Sequence, residues 1–257
     1  MKLEGKVAII TGGAMGNGKG IVDTFIKYGA KVSILDYSDE IYNVINNDNI
    51  IGFKLDIRDK EKVKDAVDKT IEKFGKIDIL VNNAGVCSLE TFMNMDDELR
   101  DYHFDINIKG TWNVTKQVLP YMIKNNYGSI INLSSVTGAM VADSGEVAYA
   151  TTKAALIGFT KGLAREVVDN NIRVNAIMPG YIRTPMVDNM AKISNPNNPE
   201  EIIKGIEDAI PMKRMGTIKE LGELAAFLAS DESSYITADS IVIDGGSTLP
   251  ETLTMGV

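Results

Sequence analysis

Thr11-Gly12-Gly13-Ala14-Met15-Gly16-Asn17-Gly18 closes a short apolar run, residues 7–10, and opens an amphipathic stretch, residues 18–28. Glycines at this density let the chain turn tightly and bring its backbone close to a bound group. Where such a turn joins a strand to a helix, the helix N-terminus offers unpaired N–H groups and the positive end of its dipole to an anion. A glycine cluster by itself signifies little more than a tight turn. Its place at the first strand–helix junction of an alternating pattern makes it a cradle for a dinucleotide pyrophosphate, with Gly12, Gly16, Asn17 and Gly18 as contact residues.

Outward from the turn, the same alternation runs to the end of the chain. Near-continuous apolar runs at 7–10, 32–35, 51–55, 77–81, 129–133, 172–177 and 240–243 read as parallel strands buried on both faces. Helical periodicity occupies 18–28, 60–74, 97–124, 147–168 and 218–228, with Gly29 and Gly75 placed as C-terminal caps. The pattern predicts one α/β domain over 1–257, a doubly wound Rossmann-type fold with a seven-stranded parallel sheet and helices on both faces. One stretch breaks the rhythm. Residues 184–211, with Pro185, Pro196, Pro199 and Pro211, are too long for a routine connection. They read as a substrate-binding lid, or else as a surface excursion carrying two short helices.

Composition excludes several function classes. The 257 residues are 44% hydrophobic and 24% charged, and the net charge of −8 argues against nucleic acid as a partner, since phosphate contacts need clustered Lys and Arg. No apolar run approaches the roughly 20 residues that span a bilayer, and Met1–Lys6 has no apolar segment, so neither membrane nor signal peptide is expected. The single cysteine, Cys87, fits a reducing, cytoplasmic setting. His103 is the one histidine, which rules out a multi-histidine metal centre, and it reads as a surface or packing residue.

Asp36 ends the second strand, where a carboxylate accepts hydrogen bonds from the adenosine ribose and repels a 2′-phosphate. Met15 and Tyr37 stand where an NADP site would want a base, so the cofactor expected is NAD(H); Lys19 and Lys31 are the competing bases. Asp56, with Ile57 beside it, ends the third strand near the adenine, and Asn82-Asn83-Ala84-Gly85 follows the fourth at the same edge. Asp56 and Asn83 are either cofactor contacts or turn chemistry. Tyr149 and Lys153, four apart in a helix, share one face. An ammonium and a positive nicotinamide ring would favour the phenolate of a tyrosine whose ordinary pKa is near 10. Ser134-Ser135 ends the fifth strand, placed either to hold a substrate oxygen or to make a strand-end turn.

Thr11–Gly18, Asn82–Gly85, Asn107, Ser135, Tyr149/Lys153, Pro179-Gly180 and Asp244-Gly245-Gly246 stand in the order and rough spacing of the classical short-chain dehydrogenase/reductase family, which the whole chain resembles. The resemblance implies that Tyr149 is the acid–base group and that Lys153 holds the nicotinamide ribose. It implies that Ser135 binds the substrate oxygen, that Asn107, in a helix, anchors a water, and that Ile182 and Thr184 meet the carboxamide. It also implies a homo-oligomer, a tetramer or a dimer, through 97–124 and 147–168. Two departures stand out. Asn17 replaces the usual aliphatic residue, and the segment from Ser135 to Tyr149 is one residue longer than usual. Ser135 is chosen for its Ser-Ser-x-x-Gly pattern through Gly138.

The expected partner is a small alcohol or ketone. Methionines in 184–211 tilt this toward a bulky apolar substrate, a hydroxysteroid or bile acid, with polyols, sugar derivatives and small hydroxy acids as alternatives. A non-catalytic dinucleotide sensor is the reading from another class. The tail 247–257 extends beyond the usual family end, either to reach a neighbouring subunit or to fray.

Overall fold

A computed structural model describes residues 1–45 and 47–249. Strands and helices follow one another as β1 (Val7–Thr11), α1 (Gly16–Lys27), β2 (Lys31–Asp36), α2 (Ile41–Val44), β3 (Ile50–Lys54), α3 (Lys60–Phe74), β4 (Ile79–Asn82), α4 (Asp97–Phe104), α5 (Thr111–Asn125), β5 (Gly128–Leu133), α6 (Val147–Val167), β6 (Ile172–Pro179), α7 (Pro185–Ser194), α8 (Pro199–Ala209), α9 (Ile218–Ala229) and β7 (Ser240–Ile243). The seven strands form one parallel sheet in the order β3-β2-β1-β4-β5-β6-β7. The expected doubly wound sheet is therefore what forms. Its order reverses between β1 and β4, where the connections leaving the two strands diverge and open a crevice at their carboxyl ends.

Period-two alternation along β1 divides the core. Ala8 and Ile10 face Ile21, Val22 and Phe25 of α1 and Leu221 and Ala225 of α9. Ile9 faces the other way, onto a layer that includes Val63 of α3 and Val114 and Val118 of α5. Both faces are dry, which is why the strands read as continuous apolar runs rather than alternating ones. The predicted glycine caps form as well: Gly29, at φ +86°, follows α1, and Gly75, at φ +83°, ends α3, whose start Asp59 caps by accepting from Lys62 N.

The stretch 97–124 is helical throughout, as expected, but not α-helical throughout: a π-helical turn, Asp105–Gly110, joins α4 to α5. Its wider ring coincides with Asn107, whose amide accepts from Val86 N (2.8 Å) and donates to Val86 O (3.0 Å) and Thr152 Oγ1 (2.9 Å). Single π turns of this kind recur at functional sites. In the 184–211 stretch two short helices form, α7 and α8, with a small apolar cluster of their own that includes Ala191, Ile203 and Ile210. In the tail 247–257, Ser247 and Thr248 fold back onto Asp244, while 250–257, which carry the possible reach to another subunit, lie outside the described residues.

Helices α1 and α9 cross through glycine. A Cβ on Gly20 would lie 2.3 Å from the Ile218 carbonyl oxygen, and one on Gly222 would lie 2.3 Å from Thr24 Oγ1. Gly20→Ala should therefore lower the unfolding free energy by about 1–3 kcal/mol in urea titration, with an unchanged m value. A loss within about 0.5 kcal/mol would show that α9 can withdraw at no cost.

Candidate active site

The crevice at the β1/β4 reversal is a cavity of about 1150 Å³. That exceeds the usual 300–1,000 Å³ of a site for one small ligand and leaves room for two. Its floor at one end is the glycine turn. Gly12 and Gly16 have φ of +65° and +54°, and a Cβ on Gly18 would sit 1.9 Å from the Gly12 carbonyl oxygen. Met15, at the N-cap of α1, offers no side-chain acceptor to the first turn, which also carries no acid. The N–H groups there fit an anion. Asn17 lines the same wall, and its Oδ1 is buried without a hydrogen-bond partner, as suits a donor from a bound group. These residues fit a dinucleotide pyrophosphate.

Asp36 is buried at the end of β2 on the cavity wall, where its two oxygens accept from Ala14 N and Ser38 N, both at 2.8 Å. The two competing bases stand elsewhere. Lys19 pairs with Asp23 (2.6 Å), and Lys31 lies over the Phe74 ring. Asp56 lines the cavity but is gripped by Arg58, with Nε at 2.9 Å and Nη2 at 2.6 Å from Oδ2. The guanidinium holds its carboxyl below the usual carboxylate range. Arg58 itself also lines the cavity and lies 5.5 Å from the Tyr102 ring centre. Sequence reasoning missed it; its spacing of two from Asp56 was the available signal. Ile57 lines the cavity from a buried position. Asn83 also lines it, yet its side-chain amide is engaged with the Thr11 and Gly12 carbonyls (3.0 and 2.9 Å), so it holds the glycine turn in shape.

At the other end, Ser135, Tyr149 and Lys153 converge. Ser134 and Ser135 part ways: Ser134 Oγ donates to the Lys153 carbonyl (2.7 Å), while the Ser135 hydroxyl meets the Tyr149 phenol. Lys153 Nζ donates to Leu133 O (2.7 Å) and lies 5.6 Å from the Tyr149 ring centre. Burial dominates both ionisations. It pushes the Lys153 ammonium down to about 8 and raises the Tyr149 phenol above its ordinary value, against the downward shift expected from the sequence. A phenolate in this enclosed wall lacks water, and the Lys153 charge alone does not compensate. Cys87, beside them, is pushed up to about 11 by the same desolvation.

Asn107 and Lys153 Nζ both border Gly85, where a Cβ would lie 3.2 Å from Asn107 Oδ1 and 3.4 Å from Lys153 Nζ. His103, the packing histidine, is fully buried. It accepts from Ser88 N through Nε2 (2.9 Å), and its Nδ1 lies 2.8 Å from Leu99 O, so it props the Val86–Ser88 backbone under the site. Ile182 and Thr184 line the cavity opposite, with Thr184 capping α7 and facing Gly16. Met186, Val187, Met190, Ile202 and Ile206 bring α7 and α8 over the cavity. Among the described residues no group of three or more His, Cys, Asp or Glu is arranged to hold a metal, and no helix is long and apolar enough to cross a membrane.

A family model described as enoyl-(acyl carrier protein) reductase matches residues 12–248. The chain is 54% identical over 263 residues to the oxidoreductase UcpA of Escherichia coli (strain K12), covering 100% of this chain and 99% of that one. It superposes on the ligand-free aldohexose dehydrogenase of Thermoplasma acidophilum with a TM-score of 0.92 and 33% identity, over 99% of this chain and 98% of that one. The L-sorbose reductase of Gluconobacter frateurii, complexed with NADPH and L-sorbose, aligns at a TM-score of 0.91 and 31% identity, over 97% and 100%.

The buried lysine makes stability depend on pH. Folded Lys153 loses its proton near pH 8, against 10.5 for the unfolded chain, so between these values the unfolded state binds more protons and stability rises with pH. Relative to Lys153→Met, the wild type should gain about 3 kcal/mol across that window; Tyr149, common to both, cancels to first order. A pH-independent difference in denaturant titrations would show that the ammonium stays solvated.

Proposed function

The chain belongs to the short-chain dehydrogenase/reductase family, and from that premise we propose that it is an NAD(H)-dependent oxidoreductase interconverting a secondary alcohol and a ketone. The observation that carries this reading is the convergence of Ser135, Tyr149 and Lys153 on one wall of the cavity whose other end is the glycine cradle. Gly12, Gly16, Asn17 and Gly18 hold the pyrophosphate, Asp36 the adenosine ribose, and Asp56, Ile57 and Asn83 border the adenine side. Ile182 and Thr184 meet the carboxamide. When bound, the dinucleotide supplies the hydride donor or acceptor for the carbinol carbon.

The protein's own part is to orient the substrate and handle one proton. Ser135 donates to the substrate oxygen and stabilises the negative charge that grows there. In reduction the Tyr149 O–H bond breaks as a new O–H bond forms on that oxygen; burial keeps the phenol protonated and ready as an acid. In oxidation the same proton returns to Tyr149 oxygen. Lys153, tied by one N–H to Leu133 O, has two more donors for the nicotinamide ribose, and its charge favours the transient phenolate. Asn107 anchors a water that links Lys153 to solvent.

Cofactor choice rests on Asp36, whose fixed carboxylate repels a 2′-phosphate, with Lys19 and Lys31 both engaged elsewhere. The sorbose reductase is complexed with NADPH, so relatives do not all share that choice. Two substrate classes each have an observation behind them. The apolar wall of Met186, Met190 and Ile206 suits a hydroxysteroid or bile acid. The aldohexose dehydrogenase and sorbose reductase favour a polyol or sugar derivative. The α7–α8 segment, packed around its own cluster, serves as the lid within the single 1–257 domain. The chain works in the cytoplasm, consistent with its one, half-buried thiol.

Absorbance at 340 nm with NAD⁺ or NADP⁺ and a panel of steroids, polyols and hydroxy acids tests the reading. Turnover should favour NAD⁺ by at least about tenfold, and Tyr149→Phe should lower kcat by about 10²–10⁴ while still binding NADH. Cofactor binding with no turnover on any alcohol or ketone would turn the reading toward a dinucleotide sensor. A preference for NADP⁺ would remove the role given to Asp36.

The chain assembles as a homo-oligomer, a tetramer or dimer, through α4, α5 and α6, where Trp112 of α5 lies against Phe159 of α6 with the rings tilted yet remains exposed, and where Val147 and Val168, at the two ends of α6, are exposed as well. Sedimentation velocity at micromolar protein should give a dimer or tetramer, reduced to smaller species by Trp112→Glu. A monomeric wild type would exclude the assembly.

A further inference from the structure

Glu146 is a second polar group on the cavity wall that the reaction above does not use. Its Oε2 is buried from solvent and has no hydrogen-bond partner. Such an atom is costly to leave unsatisfied, and its natural complement is a donor brought by a ligand. Glu146 immediately precedes α6, three residues before Tyr149, so the two side chains fall on one side of the first turn, and both line the cavity.

The backbone holds it there from both sides. Glu146 O accepts from Ala150 N (2.7 Å), and the preceding Gly145, at φ +88°, accepts from Glu90 N (3.0 Å). The groups that bear on the carboxyl are the Asp143 backbone N–H and the Thr137 hydroxyl, which donate to it while its Oε2 stays unpaired, and the Asp143 carboxylate, with the Cys87 and Tyr181 side chains nearby; none is a cation. Lys153, the ammonium of this wall, donates to Leu133 O. An anion entering here would therefore meet two carboxylates and no balancing base, whereas a neutral hydroxyl would find an acceptor in place.

We infer that Glu146 determines substrate specificity by accepting a hydrogen bond from a second, non-reacting hydroxyl, so that this site takes an uncharged polyhydroxylated alcohol or the corresponding ketone. The inference rests on the alcohol–ketone reading above and narrows it. A site built to pair a buried acceptor discriminates strongly against the analogue lacking the donor, because the acceptor is then left desolvated and alone.

The test starts from the neutral polyol or sugar oxidised best by the wild type, and compares it with the analogues lacking one non-reacting hydroxyl at a time. One deoxy analogue should lose at least about tenfold in kcat/KM, mostly through KM. In Glu146→Ala the polyol should fall to the level of that analogue, and Glu146→Gln, which keeps an amide oxygen as acceptor, should recover part of the difference. Calorimetric titration of the polyol into protein with NAD⁺ should show the same order of affinities. Thermal melting and NADH fluorescence confirm that both variants fold. Equal losses on polyol and deoxy analogues, or an amino alcohol or carboxylate substrate outrunning every polyol by more than tenfold, would overturn the assignment while leaving the alcohol–ketone reading intact. Absence of turnover on every alcohol and ketone, together with no polyol binding by calorimetry, would overturn both.

Discussion

The turn after β1 has no spare volume, and the rest of the site is arranged around that constraint. Gly12 and Gly18 are packed so closely that a methyl on either would strike Asn83 Nδ2 or the Gly12 carbonyl. The same contact is cohesive. Asn83 donates to the carbonyls of Thr11 and Gly12, while Thr11 Oγ1 accepts from the N–H groups of Asn83 and Ala84. The loops leaving β1 and β4, which the strand order sends apart, are thereby tied at their roots. The crevice keeps a defined width, and the first turn of α1 keeps its donors aimed into it.

A second set of bonds sets the register of the other wall. Buried Asn82 donates to Asn132 and Thr115, and Asn132 donates to Thr160 of α6. Ser134 donates to the Lys153 carbonyl, and Lys153 returns a bond to Leu133. β5 and α6 are thus stitched at two heights, which fixes Ser135, Tyr149 and Lys153 against one another. Polar groups this deep are costly unless paired, so their pairing is specific and leaves little freedom to slide. The same dryness keeps the phenol protonated and weakens the ammonium, so the local chemistry follows from the packing.

Charge is distributed unequally along the crevice. At the end beside β2 and β3, Asp36 is held by two backbone N–H groups and Asp56 is neutralised by Arg58. At the far end Asp143 and Glu146 stand on the cavity wall with the methionines of α7, and the ammonium there, Lys153, is bonded to Leu133 O rather than to either carboxylate.

The sequence alone determined the alternation of elements, the glycine turn, the caps at Gly29 and Gly75 and the pairing of Tyr149 with Lys153 on one helix face. These depend on local sterics and periodicity, which neighbours in the chain carry. It did not determine the π turn at Asp105–Gly110, because that distortion answers to Val86 and Thr152, distant in sequence. Nor could it separate Arg58 from ordinary surface charge, or read Asn83 as a staple for the turn. Only the tertiary structure decided that one oxygen of Glu146, Oε2, lost its solvent without gaining a partner: Glu146 looks like any helix-start acid until the chain folds, since desolvation is a property of everything packed around it.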